Sequence, residues 1–100
     1  MQQQNNIPDY LQDTYNMVCC AFPDRIPTED YWPLIALLHP EMSYRALARV
    51  LAVIMGKSYF EILNDTQGFG VDHLPGKRDI ERVRQRLLSC DFEEWLQKQF

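Results

Sequence analysis

Apolar residues recur along this chain at spacings of three and four, in five or six short stretches separated by prolines, glycines and capping residues. That spacing predicts amphipathic helices and no strands. Ile7, Leu11, Tyr15, Val18 and Phe22 form one stripe, which predicts a first helix from about Pro8 to Cys20. Pro8 suits the first turn, Asp9 its positive end, and Pro23 stops it. Residues 23–30 read as a loop, and a second helix follows to Leu38. Asp30 is its expected cap, because only then does Pro33 fall in the first turn. Ser43 caps a third helix, Tyr44 to Met55, and Gly56 stands just past its end. This helix is apolar on nearly every side, with Arg45 and Arg49 alone marking solvent. It is therefore expected at the centre of the molecule, through Leu47, Val50, Leu51 and Ile54.

Ser58 and Glu61 make a capping box, predicting a fourth helix to about Asn64. Residues 66–76 hold three of the four glycines and form the main loop. The fifth helix, about Lys77 to Ser89, buries Ile80, Val83, Leu87 and Leu88. Asp91 with Glu94 resembles a second capping box, starting a last helix whose stripe is Phe92, Trp95, Leu96 and Phe100. The expectation is an all-α fold, a compact bundle of five to six short helices. Residues 1–6 are expected to be a disordered polar tail, and residues 7–100 a single helical domain.

Composition agrees with this: 100 residues suffice for one core, and four glycines are too few for a turn-rich β fold. A net charge of -4 disfavours nucleic acid as a partner of the whole surface, though not of a local patch. Met1 to Asn6 lacks the basic and apolar regions of a signal peptide. The apolar run Ala46 to Met55 is broken by Arg49 and is too short to span a bilayer. Cys19, Cys20 and Cys90 are odd in number, two of them adjacent, so three buried free thiols in a reducing compartment are expected. The corresponding placement is the cytoplasm of a bacterium.

Candidate chemistry is sparse. Arg78, Arg82 and Arg86, spaced by four, stack along one face of the fifth helix, and Lys77 and Arg84 add to it. Such a ridge can dock an acidic partner or a phosphate-bearing ligand, or it can pair within the chain. Residues 1–42 hold six carboxylates and one base, whereas residues 43–90 hold eight bases and five acids. Asp79 can also pair with Arg82, and Glu81 with Arg84. The 66–76 loop brings Phe69, Asp72 and His73 together, and an Asp beside a His can tune a proton transfer. No Lys-Ser/Thr pair follows its glycines as in a phosphate loop. The cysteines and histidines show no zinc-ligand spacing, so no metal or other cofactor is expected. Residues 51–65 place Ala52, Gly56 and Ile62 as a helix-turn-helix does. Its reading helix, however, carries Glu61 and Asp65 and no base. Tyr31, Trp32, Trp95 and Phe100 are candidates for an exposed aromatic patch.

Two stretches, DYWPLIALLHPEMSYRALARVLA and LPGKRDIERVRQRLLS, resemble a family of small helical proteins of unknown function, known mainly from actinobacteria. The matching segments are Asp30 to Leu38 and Leu74 to Leu87, whereas Ser58 to Gly70 departs from the pattern. The resemblance implies an all-helical bundle and carries no activity or site residues. With no nucleophile beside a base and no nucleotide loop, the expected function is a non-catalytic protein–protein interaction module, binding another protein or a second copy of itself. The alternative is a helical nucleic-acid-binding domain that uses the 51–65 hairpin or the arginine ridge. That alternative requires Arg78, Arg82 and Arg86 to be free of carboxylate partners.

Overall fold

The third helix begins where its cap dictates and organises the rest. In the computed structural model, which describes residues 7–70 and 74–99, Ser43 Oγ accepts a hydrogen bond from the Ala46 N–H at 3.1 Å. Gly56 ends the helix in the left-handed region at φ 67°, where a side chain would be strained. The six α-helices are α1 (Gln12–Ala21), α2 (Thr28–Leu38), α3 (Tyr44–Met55), α4 (Tyr59–Gln67), α5 (Lys77–Leu88) and α6 (Phe92–Gln97). The described residues contain no strand, so the fold is all-α as the periodicity predicts. No helix among them is long and apolar enough to cross a membrane.

Helix α3 pairs with α4 through the tight turn at Gly56, and α2 pairs with α5. Leu34, Ile35 and Leu38 of α2 meet Leu47 and Leu51 of α3, Ile62 of α4, and Val83 and Leu87 of α5, all fully buried. A smaller apolar cluster joins Ile7, Leu11 and Val50. Ile54, expected at the centre, is only half-buried, as are Ala52, Val53 and Met55. Helix α3 is therefore a surface helix with a strongly buried inner side, and part of its apolar sequence faces outward.

Local starts and stops differ from expectation in four places. The first helix opens as a 3-10 turn, Asp9–Leu11, before α1 proper. Helix α2 starts at Thr28 after Pro27, so Asp30 lies inside it and does not cap it. Pro33 then sits beyond the first turn and cannot donate to the Glu29 carbonyl. That freed carbonyl accepts a long 3.4 Å contact from Arg82 Nη2, which helps explain why the proline is tolerated. Ser58 Oγ accepts from the Phe60 N–H at 3.2 Å, without the return bond from Glu61, and α4 runs on to Gln67. Asp91 makes no cap bond and instead adopts φ 70°, turning the chain between α5 and α6. Phe100 lies outside the described residues.

Three contacts fasten α6 and the residues that flank it to α1. Trp95 Nε1 donates to Thr14 Oγ1 at 2.7 Å in a buried bond. Lys98 Nζ reaches Asp13 at 3.3 Å. Between these helices the expectation of three free thiols fails, because Cys20 and Cys90 form a disulfide with Cα atoms 5.9 Å apart. Cys19 alone is free and half-buried. The bond closes a loop of 70 residues, a constraint on the unfolded chain worth about 4 kcal/mol. A dithiol reductant is therefore expected to lower the urea midpoint of the native protein. A Cys20→Ser, Cys90→Ser variant should start at that lower midpoint and show no response to the reductant.

Candidate functional site

The arginine ridge of α5 is largely engaged within the chain. Arg82 Nε donates to Asp30 Oδ1 at 3.1 Å, and its Nη2 makes a shorter ion pair with the same oxygen. Its Nη1 meets Asp79 at 2.6 Å, the pairing along the helix that the sequence predicts. The hydrogen bonds it donates to Asp30 and then Asp79 raise the guanidinium pKa above its already high value. Arg84 pairs with Glu81 at 3.3 Å. Arg86 Nε donates to the Ala21 carbonyl at 2.9 Å, and its guanidinium lies 4.6 Å from the centre of the Phe22 ring. Lys77 and Arg78 are exposed at the start of α5, with no ion pair among the described residues. The ridge thus holds α5 against α1 and α2, leaving only its first turn open.

The loop candidates separate. Phe69 is half-buried, stacking on Trp32 at 6.4 Å and leaning on His39 at 4.7 Å, which makes it part of the packing around α2. Asp72 and His73 lie outside the described residues. Among the described residues no three His, Cys, Asp or Glu side chains gather as metal ligands. The expected aromatic patch is corrected as well. Tyr31 and Trp95 are buried and Trp32 is half-buried. The Tyr31 hydroxyl donates to Asp65 at 2.7 Å. Burial first, then this hydrogen bond and the charges of Asp65 and Glu61, hold that hydroxyl protonated well above the usual tyrosine range.

The exposed aromatics are elsewhere, around the outer side of α3. Tyr10 is 77% exposed and Phe60 75%, whereas Tyr44, 46% exposed, stands at the start of the inner stripe that Ala48 and Leu51 continue. Two adjoining depressions of about 340 and 420 Å³ share Arg49 and Tyr59 and form one shallow groove. Tyr10, from the turn before α1, and Tyr59, from the start of α4, stand at its edges. Ala46, Ala52 and Val53 give it a low apolar floor, and Arg45 and Arg49 line it one turn apart. Phe60 extends the wall, its ring 5.2 Å from that of Tyr59 in an edge-on contact. The groove has no carboxylate, histidine or cysteine in its lining. In the sequence Arg45 and Arg49 mark only the solvent side of α3. Tyr10 and Tyr59 belong to segments far apart in the chain, so no local spacing joins them to α3.

The hairpin of α3 and α4 has the short glycine turn of a helix-turn-helix. Its second helix exposes Phe60, Glu61, Asn64 and Gln67, none of them basic. A further depression beside the disulfide is lined by Asp13, Asp91 and Glu94 and by Lys98, which pairs with Asp13. Comparison with protein-family models, with characterised proteins and with solved structures finds no match to this chain.

Two measurements test the electrostatics of this arrangement. Arg82→Met strands the Asp30 carboxylate, whose side chain is only 5% exposed, so it is expected to lower Tm by roughly 5 °C or more. Arg78→Met should change Tm by less than about 2 °C, and equal shifts for both would refute the role given to Arg82. For Tyr31 the sign follows from its raised pKa. Its contribution is complete below about pH 10, where the unfolded residue is also protonated, and is lost as pH rises further. The stability advantage of the native chain over Tyr31→Phe should therefore be flat from pH 7 to pH 9 and shrink above about pH 10. Urea unfolding at a series of pH values reads it directly.

Proposed function

We propose that this chain is a non-catalytic protein-interaction module whose contact surface is the outer face of α3 between Tyr10 and Tyr59. The observation that carries the reading is the gathering of exposed aromatics around one groove. Of the four exposed large hydrophobics among the described residues, Tyr10 lines that surface and Phe60 adjoins it through its contact with Tyr59. Large apolar rings left in water are unfavourable, and grouped rings with arginines have the composition of binding hot spots. The absence of any carboxylate, histidine or cysteine from the groove favours contact over acid–base chemistry.

The nucleic-acid alternative draws less support. Arg82 has carboxylate partners, Arg86 caps a backbone carbonyl, and α4 exposes no base. The cytoplasmic placement rested on free thiols, and the Cys20–Cys90 bond suits an oxidising compartment better. The resemblance to small actinobacterial helical proteins stands beside this reading as a proposal of kinship and adds no activity to it.

A photo-crosslinking residue at position 60, placed in the producing cell, tests the surface. It is expected to give discrete adducts with one protein identifiable by mass, while the same residue at position 85 on α5 gives none. Tyr59→Ala, checked for native helicity, should weaken capture about tenfold or more. Adducts that form equally at both positions, or that ignore Tyr59→Ala, would remove this surface from consideration.

A further inference from the structure

We infer that the segment received by the α3 groove is acidic, presenting two carboxylates to Arg45 and Arg49 and an apolar side chain to the Ala52, Val53 and Tyr59 end. The inference rests on the proposed interaction function and adds the chemistry of the partner.

Arg45 and Arg49 stand one turn apart on α3, where like charges repel. Several other bases are compensated: Arg82, Arg84 and Lys98 have carboxylates, Arg86 has a carbonyl and a ring, and Lys57 lies over the Tyr31 ring, whereas Lys77 and Arg78 are open at the start of α5 beside a depression that already holds Glu29 and Asp79. Among the described residues, no ion pair or side-chain hydrogen bond involves Arg45 or Arg49. The other depressions differ in the same sense. The one beside the disulfide has three carboxylates in its lining, and the one between α2 and the start of α5 has Glu29 and Asp79. In a chain of net charge -4, the α3 groove is lined by two arginines and no acid.

Geometry narrows the ligand. Residues four apart on a helix are about 6 Å apart along its axis. That rise matches alternate side chains of an extended strand, about 6.6 Å apart, or two carboxylates one turn apart on a facing helix. Each guanidinium can take one carboxylate as a two-pronged hydrogen bond. Beyond Arg49 the lining turns apolar, through Ala52, Val53 and one side of Tyr59. An aliphatic or aromatic side chain following the acidic pair meets that surface. A protein segment fits better than a nucleic-acid strand, because two cations on an acidic chain provide little phosphate neutralisation, and the floor is aliphatic.

A random 16-residue peptide library displayed on phage, panned on the native protein and depleted on an Arg45→Glu, Arg49→Glu, Tyr59→Ala variant, tests this. Enriched peptides are expected to carry paired Asp or Glu followed by a large apolar residue. A synthetic peptide of that sequence should bind the Arg49→Glu protein at least tenfold more weakly, with affinity falling as salt rises. Replacing both peptide carboxylates with Lys should restore binding to an Arg45→Glu, Arg49→Glu protein, a result that loss of folding cannot produce. Enrichment of neutral or basic peptides would overturn the acidic assignment while leaving the interaction reading intact. No enrichment over the variant would overturn both. Dimerisation in sedimentation runs, abolished by the same substitutions, would assign the groove to a second copy. Tighter binding of a single-stranded oligonucleotide than of any peptide would assign it to nucleic acid. Either result would overturn the inference.

Discussion

A carboxylate buried in a helical core needs a counter-charge, and Asp30 has one in Arg82. Asp30 lies in the first turn of α2, and its residue is only 3% exposed. Without a partner its burial would be strongly unfavourable. Arg82 meets it from α5, meets Asp79 on its own helix, and reaches the Glu29 carbonyl that Pro33 leaves without a donor. One guanidinium thus sets the register of α5 on α2, balances the acid, and accommodates the proline. Arg86, one turn on, does a related task against α1 through Ala21 and Phe22. Placed this way, α5 directs Val83 and Leu87 into the core that also holds Leu34, Ile35 and Leu51.

This constraint decides what remains available at the surface. The ridge that looks in sequence like a docking face for anions has its middle and end committed to packing. Apart from Lys77 and Arg78 at the open start of α5, the helix bases without an ion pair or side-chain hydrogen bond among the described residues are Arg45 and Arg49 of α3, on a helix whose inner side supplies Leu47, Val50 and Leu51 to the core. A rigidly anchored helix is a suitable platform for recognition, because its outer side chains need little ordering when a partner arrives.

Much of the fold could be read from local chemistry. Ser43 and Gly56 bracket α3 as their capping roles require, and of the stripe expected on α5 Val83 and Leu87 are buried while Ile80 and Leu88 are half-buried at its edges. What escaped the reading depends on contacts distant in sequence. Asp30 looks like a cap until Arg82 is placed beside it. Pro33 looks like a helix start until a side chain from α5 meets the Glu29 carbonyl. Cys20 and Cys90 look like separate core thiols because nothing local announces a bond across 70 residues. Asp91 looks like a cap, whereas the turn needed a residue able to adopt positive φ. The groove was missed for the same reason. Its floor read as core, and its walls come from two other segments.

The shape of that groove follows from side-chain size as much as from charge. Ala46 and Ala52 project little beyond the α3 backbone, and Val53 only slightly more, so the floor lies low. Tyr10 and Tyr59 rise on either side because the turn before α1 and the start of α4 flank α3 there. Leucines at 46 and 52 would fill the depression and give the same helix a flat surface. Two arginines keep this side hydrated, so the small apolar residues beneath them are not drawn into a deeper core. An apolar floor with cationic edges and aromatic walls is stable in water only as a shallow feature. A partner that supplied the carboxylates and excluded the water together would make it a strong contact, since charge-assisted hydrogen bonds gain strength as the surrounding solvent leaves.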